Sequence, residues 1–99
     1  MNEFEIVGTI ELVMPLEETA SGVKVLNFTV RYDRPGEKSR KKDDLFRITT
    51  FRDLAEEAVR YRPGEKVIVK GRMQDNNYSR DEKTYYTVEL IADNVYKTL

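Results

Sequence analysis

The stretch LFRITTF, residues 45–51, runs directly into RDLAEEAVRYRPGEKV, residues 52–67. The first segment alternates with a period of two, which is typical of a β-strand, and places Phe46, Ile48 and Thr50 on a core-facing side. The opposite side, which solvent should reach, holds Leu45, Arg47, Thr49 and Phe51. An arginine among large apolar groups on a solvent-facing strand surface marks this side as a candidate binding surface.

The segment after this strand predicts one short helix. Asp53 is a good N-cap with Glu56 three residues later, which is the capping-box pattern. A Pro-Gly pair at residues 63–64 ends the run. The apolar stripe of this helix is Leu54, Ala58 and Tyr61.

Four further segments alternate as strands do, at residues 4–12, 24–32, 66–74 and 84–95. The alternation places inward Phe4, Ile6, Gly8, Ile10, Leu12, Leu26, Phe28, Val30, Tyr32, Val67, Val69, Gly71 and Met73. A glycine in the middle of the first strand, Gly8, indicates a bulge or a sharp bend. Between the strands, MPLEETASG (14–22) is a predicted loop, DRPGEKSRKKDD (33–44) a long polar connection, and DNNYSRDEK (75–83) a hairpin tip.

The order of elements is three strands, one helix and two strands. This order predicts an all-β fold, a five-stranded Greek-key OB-fold barrel with the helix between strands three and four. An immunoglobulin-like sandwich fits less well, because it needs about seven strands and no helix. Residues 1–99 are expected to form a single domain.

Composition restricts the function. The chain has 99 residues, a net charge of −1, and neither cysteine nor histidine, so we expect no disulfide, no metal, no cofactor and no enzymatic activity. No signal peptide or membrane span is evident, which predicts a cytoplasmic, nucleoid-associated protein. The charge is uneven: residues 1–23 carry −5, residues 24–52 carry +5, and residues 53–99 carry −1.

We expect strands two and four to extend the candidate surface on both sides of strand three. They would contribute Asn27, Thr29, Arg31, Lys70, Arg72 and Gln74. Tyr78 follows on the same side in the hairpin, and the polar connection adds Arg34, Lys38, Arg40, Lys41 and Lys42. Aromatic rings with arginines between them suit a single nucleic-acid strand, because unpaired bases stack on rings and phosphates pair with Lys and Arg. Taken singly, Phe51 could instead be barrel-end packing and Tyr78 a turn aromatic.

The chain resembles the bacterial and phage single-stranded DNA-binding proteins, the SSB family, over nearly its whole length. IVGTI resembles the opening strand of that family, SGVKVLNFTV its second strand, and YYTVELIADNV its closing strand. The most specific match is FRDLAEEAVRYRPGEKVIVKGRM, residues 51–73, in which an aromatic precedes a Leu-Ala-Glu helix. The resemblance implies that Phe51 and Tyr78 stack bases. It also places a third stacking site at Leu45, which is aliphatic, and a fourth in the polar connection, which has no aromatic residue, so that binding would be weaker or more dependent on the basic connection.

The predicted function is sequence-independent binding and protection of single-stranded DNA in replication, recombination or repair, with RNA left open. The resemblance implies a homodimer or homotetramer, with the outer side of strand one facing a neighbouring subunit or solvent. The chain stops after its fifth strand, without the acidic tail of many relatives, either naturally or by trimming. The alternatives are an OB-fold adaptor of a replication-restart or conjugation complex and a nuclease, which would need converging carboxylates.

Overall fold

A computed structural model describes residues 1–32 and 44–98, and within them the chain forms a closed five-stranded barrel with one short helix. The elements are β1 Phe4–Val13, β2 Glu17–Glu18, β3 Lys24–Tyr32, β4 Asp44–Phe51, α1 Arg52–Ala58, β5 Lys66–Asp75, β6 Tyr78–Arg80, β7 Lys83–Tyr85 and β8 Val88–Lys97. The barrel runs β1-β3-β4-β8-β5 and closes on β1, while β6 and β7 form a separate hairpin. The predicted OB-fold is confirmed.

The core is built from the inward faces of the barrel strands. Leu26, Phe28 and Val30 alternate along β3 and are fully buried, as the sequence predicts. Helix α1 covers one end of the barrel with Ala55 and Ala58, which are also fully buried. The core cluster as a whole consists of the buried residues Ile10, Leu26, Phe28, Val30, Ile48, Ala55, Ala58, Tyr61, Val67, Val69 and Ala92.

Gly8 allows β1 to take part in two sides of the barrel. The strand pairs with β5 up to Thr9 and with β3 from Thr9 onward. A Cβ atom on Gly8 would overlap with the carbonyl oxygen of Arg31, so only glycine permits this close approach of two backbones. The predicted bend is therefore present, while the register irregularity lies two residues later, between Ile10 and Leu12.

Three side chains that the alternation places inward are exposed. Leu12 is 52% exposed because it follows the irregularity in β1, and Val13 packs against the core instead. Phe46 precedes the part of β4 that pairs with β8, so β3 is its only neighbouring strand within the described residues. Met73 lies beyond the part of β5 that pairs with β1. The alternation therefore fails to predict burial where neighbouring strands do not enclose the residue on both sides or where the register changes.

The start of the helix differs from the prediction. The N-cap is Phe51, in extended backbone, and no side chain caps the helix, so the predicted capping box at Asp53 is wrong. Asp53 lies instead in the first turn, where a negative charge is favourable to the helix dipole. The residue between them, Arg52, has a left-handed φ of 58°. Within the described ranges no helix has the length and apolar character needed to cross a bilayer.

The last predicted strand consists of two elements. Strand β7 belongs to the hairpin, and β8 starts at Val88 and lies between β4 and β5. The expectation that strand four would lie next to strand three is therefore wrong, because β8 separates them. The predicted loop at residues 14–22 contains the two-residue strand β2, which pairs with β3.

Candidate nucleic-acid interface

An open groove of about 430 Å³ runs over the outer face of β3 and β4 toward the β6–β7 hairpin. We call it the central groove, and it is lined by Val25, Asn27, Arg47, Thr49, Phe51, Asn76, Tyr78, Thr87, Val88 and Glu89. Five of these residues were predicted site residues, namely Asn27, Arg47, Thr49, Phe51 and Tyr78. The two predicted stacking residues thus line one groove.

The pairing of β3 with β4 places the groove residues side by side. Val25 lies opposite Phe51, Asn27 opposite Thr49, and Arg47 is the next outward residue of β4. The hydroxyl of Thr49 donates a hydrogen bond of 2.8 Å to Asn27 Oδ1. Thr49 is almost fully buried, so the prediction that solvent reaches it is wrong. This bond leaves both N–H donors of the Asn27 amide without a partner among the residues that the structure describes. The floor of the groove therefore offers hydrogen-bond donors beside an aromatic ring.

The root of the hairpin is fixed by hydrogen bonds that hold Tyr78 over the groove. The backbone N–H of Asn76 donates to the backbone carbonyl of Thr87 at 2.9 Å, and the backbone N–H of Thr87 donates to Asn77 Oδ1 at 3.0 Å. Tyr78 stacks on Tyr85 of β7, and its side chain remains 52% exposed. Tyr78 is therefore a supported ring with one face available.

A second groove, of about 350 Å³, lies on the other side of Phe51. We call it the lateral groove, and it is lined by Thr19, Ser21, Val23, Phe51, Arg52, Arg72, Gln74, Glu89 and Ile91. Phe51 and Glu89 line both grooves, so they form the ridge between them. Predicted site residue Arg72 lies in this second groove.

The arginines of this surface differ in their partners. Arg31 forms an ion pair with Glu11 at 3.0 Å, and Arg72 pairs with Asp93. Arg47 and Arg52 form no ion pair within residues 1–32 and 44–98. Among the arginines of this surface, these two guanidinium groups are the best placed to bind phosphate, because neither has to give up a carboxylate of the described residues first.

The other predicted site residues fall into three groups. Thr29 lies directly opposite Arg47, while Leu45, opposite Arg31, continues the β3–β4 face beyond Arg47 and is 55% exposed. Lys70 is not brought to either groove, because it lines a separate depression with Glu3, Glu5 and Asp93 and lies over the Tyr96 ring at 5.9 Å. The five basic residues of the polar connection, Arg34, Lys38, Arg40, Lys41 and Lys42, lie outside the described residues.

Sequence reasoning missed several residues that line the grooves. Val88 and Glu89 were hidden because β8 was not expected to lie beside β4. Arg52 received no role because it fell between the predicted strand and the predicted N-cap Asp53, and the structure places it at the start of α1, where it lines the lateral groove. In the described parts of the chain, no group of three or more acidic, histidine or cysteine side chains is placed to hold a metal ion.

The fold and its grooves define an OB-fold domain with a surface of aromatic rings and arginines. Over residues 1–98 the chain matches the single-strand binding protein family, and it belongs to that family. The resemblance seen in the sequence is therefore confirmed.

Individual relatives agree with this assignment. A single-stranded DNA-binding protein of Oceanobacillus iheyensis is 32% identical over 96% of this chain, which covers 62% of that relative. Single-stranded DNA-binding protein 1 of Staphylococcus aureus strain Mu50 is 31% identical over 96% of this chain, which covers 64% of it. The chain thus spans less than two thirds of the length of these relatives.

A solved structure supports the fold. A deletion mutant of the single-stranded DNA-binding protein from Thermus aquaticus superimposes with a TM-score of 0.77, at 17% identity. The match covers all of this chain and 42% of that protein.

Proposed function

We propose that this domain binds single-stranded DNA without regard to sequence. The observation that carries the proposal is the placement of Phe51 and Tyr78 in one groove beside Arg47. Family membership and the names of the relatives support it. The domain acts by binding rather than by catalysis.

The chemistry of the groove favours an unpaired strand over a duplex. Unpaired bases expose their faces to rings such as Phe51 and Tyr78, and such stacking contributes about 1–3 kcal/mol per base. A duplex keeps these faces stacked internally, so the rings would gain little from it. Arg47 in the central groove and Arg52 in the lateral groove supply cations for phosphates on either side of Phe51.

In the cell we propose that the protein protects single strands during replication, recombination or repair, in the cytoplasm at the nucleoid. Stacking and phosphate pairing do not depend on base order, which suits a protein that must cover any exposed strand.

We also propose that the protein assembles as a homodimer or homotetramer through the outer face of β1, β5 and β8. Val7, Ile68 and Tyr96 are cross-strand neighbours and form one apolar row on that face. Val7 is 55% and Tyr96 50% exposed, and the row lies away from both grooves. Light scattering should show that Val7→Glu lowers the mass of the particle, whereas an unchanged mass would place the contact elsewhere.

A titration followed by tyrosine fluorescence tests the main proposal. A 30-nucleotide oligo-dT should quench the fluorescence and bind more tightly at low than at high salt. A duplex of equal length should bind much more weakly, and oligo-rU reports on RNA. Strong duplex binding without oligo-dT binding would overturn the proposed function.

A further inference from the structure

The β-bulge in β1 changes the face of the barrel on which the end of that strand presents its side chains. Ile10 is the last regular partner of β3, and Glu11 is an extra residue before Leu12 pairs with Thr29. A bulge of this kind sends the side chains that follow it to the opposite face of the sheet. Leu12 is therefore 52% exposed, whereas Val13 packs against the core.

The face that Leu12 reaches is the one that carries the central groove. Directly opposite residues of antiparallel strands point to the same side of a sheet. Leu12 lies opposite Thr29 of β3, and Thr29 lies opposite Arg47 of β4, so the three side chains form one row. Arg47 lines the central groove. Leu12 thus extends this face onto β1, two strand spacings or about 10 Å from Arg47.

A second exposed apolar residue lies beside Leu12. The backbone N–H of Met14 donates a hydrogen bond of 2.9 Å to the backbone carbonyl of Asn27, which continues the pairing of β1 with β3. Met14 is 44% exposed, and Asn27 belongs to the floor of the central groove. We call Leu12 and Met14 the β1 patch.

The surroundings of the β1 patch match the chemistry of a nucleotide. An unpaired nucleotide offers an apolar base face next to a negatively charged phosphate. The patch offers an apolar surface in line with Arg47, which forms no ion pair within the described residues. The patch is also continuous with the central groove through Thr29 and Asn27.

We infer that the β1 patch is a further contact for the DNA strand, in which a base packs on Leu12 while Arg47 binds a neighbouring phosphate. This inference rests on the proposed function. An aliphatic side chain can cover the apolar face of a base, although it offers no ring for stacking. Every base has such a face, so the contact does not depend on base identity. The bound strand then extends from Tyr78 in the hairpin across β4 and β3 to β1.

Removing the apolar side chain tests the contribution of the patch to binding. Wild-type protein, Leu12→Ser and Val59→Ser are titrated with 30-nucleotide oligo-dT at two salt concentrations. Val59→Ser is the matched control, because Val59 is 47% exposed, follows the last residue of α1 and lines neither groove. We expect Leu12→Ser to raise the dissociation constant about 3- to 10-fold at both salt concentrations, since an uncharged contact releases no counterions. The control should bind as the wild type does.

A tryptophan at the same position reports on the contact directly. The chain has no tryptophan, so the tryptophan fluorescence of Leu12→Trp comes from residue 12 alone. We expect oligo-dT to quench this fluorescence strongly, because a base would stack on the indole ring. The fluorescence of the control variant Val59→Trp should change little.

The outcomes separate this inference from the proposed function. Wild-type affinity of Leu12→Ser, or equal quenching of the two tryptophan variants, would overturn the inference and leave the proposed function intact. A lower particle mass of Leu12→Ser in light scattering would also overturn it, because the patch would then be a contact between subunits. If wild-type protein failed to bind oligo-dT, the proposed function itself would be wrong.

Discussion

The ring of Tyr78 stacks on the ring of Tyr85, with centroids 5.1 Å apart and planes inclined by 16°. Tyr78 lines the central groove and Tyr85 does not, so Tyr85 supports the ring that we expect to meet a base. The two residues are cross-strand partners in the hairpin, whose turn at Asp81 and Glu82 has left-handed φ values at both positions, as tight hairpins require.

Removing the supporting ring should weaken DNA binding without touching the groove. We expect Tyr85→Ala to raise the dissociation constant for oligo-dT several-fold, because Tyr78 would lose its fixed orientation. Tyr85→Phe keeps the stack and should bind as the wild type does. If titrations gave the two variants the same affinity, the support by Tyr85 would have no role in binding.

Arg52 combines backbone strain with a position in the lateral groove. Its left-handed φ of 58° is unfavourable for a residue with a side chain and costs on the order of 1–2 kcal/mol. We therefore expect Arg52→Gly to raise the thermal stability. The negative slope of log affinity against log salt should become shallower by about one, because one phosphate contact is lost. Arg52→Ala should show the same change of slope without the gain in stability. If Arg52→Gly were more stable but kept the wild-type salt slope, Arg52 would not bind a phosphate of the DNA.

Tyr61 should make the protein sensitive to alkaline pH. Burial, followed by the negative charges of Glu57 and Glu65, raises the pKa of Tyr61 from 10.0 to about 12. The unfolded chain then loses this proton near pH 10 while the folded chain keeps it, so the free energy of unfolding falls between pH 10 and 12. The loss is on the order of 2–3 kcal/mol. Urea unfolding across this range should show a smaller loss for Tyr61→Phe, and an equal loss would contradict the assignment.

At neutral pH the same substitution should not destabilise the protein. The Tyr61 hydroxyl is buried and has no hydrogen-bond partner in the described structure, although its ring packs edge-on against Phe28 at 5.6 Å. Phenylalanine keeps the ring and removes the unsatisfied group, so urea unfolding should show unchanged or slightly higher stability. A clear loss would mean that the hydroxyl has a partner.

Substitution by alanine should lower the free energy of unfolding by different amounts at Gly64 and Gly71. A Cβ on Gly71 would overlap with the Ile91 carbonyl oxygen, where β5 and β8 change register, and backbone cannot move aside easily. Gly64 has open space around it, so a side chain there would be unfavourable only because of the left-handed φ of 96°. Urea unfolding should give a loss of about 1–2 kcal/mol for Gly64→Ala and a larger one for Gly71→Ala. Equal losses would argue against the close approach of the strands.

The barrel itself was predictable, because burial on one side sets the period-two pattern of strands such as β3. Leu26, Phe28 and Ile48 are fully buried where the alternation places them. The pattern is less informative at the ends of strands. Phe46 and Met73 obey the period but lie where no second neighbouring strand covers them.

The candidate site was predictable along β4 and less so across the sheet. Residues of one strand face follow from alternation, which grouped Arg47, Thr49 and Phe51, and all three line the central groove. Lateral neighbours depend on the order of strands, which a single sequence determines weakly. Glu89 was missed for that reason, and Lys70 was placed on the candidate surface although it lies in another depression.

Photocrosslinking tests most directly whether unpaired bases lie in the central groove. An oligo-dT that carries 5-iodouracil at single positions is irradiated in complex with the protein, and the crosslinked peptides are identified by mass spectrometry. We predict crosslinks at Phe51 and Tyr78, and their loss in Phe51→Ala and Tyr78→Ala. Crosslinks confined to the opposite face, at Tyr96 for example, would contradict the assignment of the DNA-binding surface.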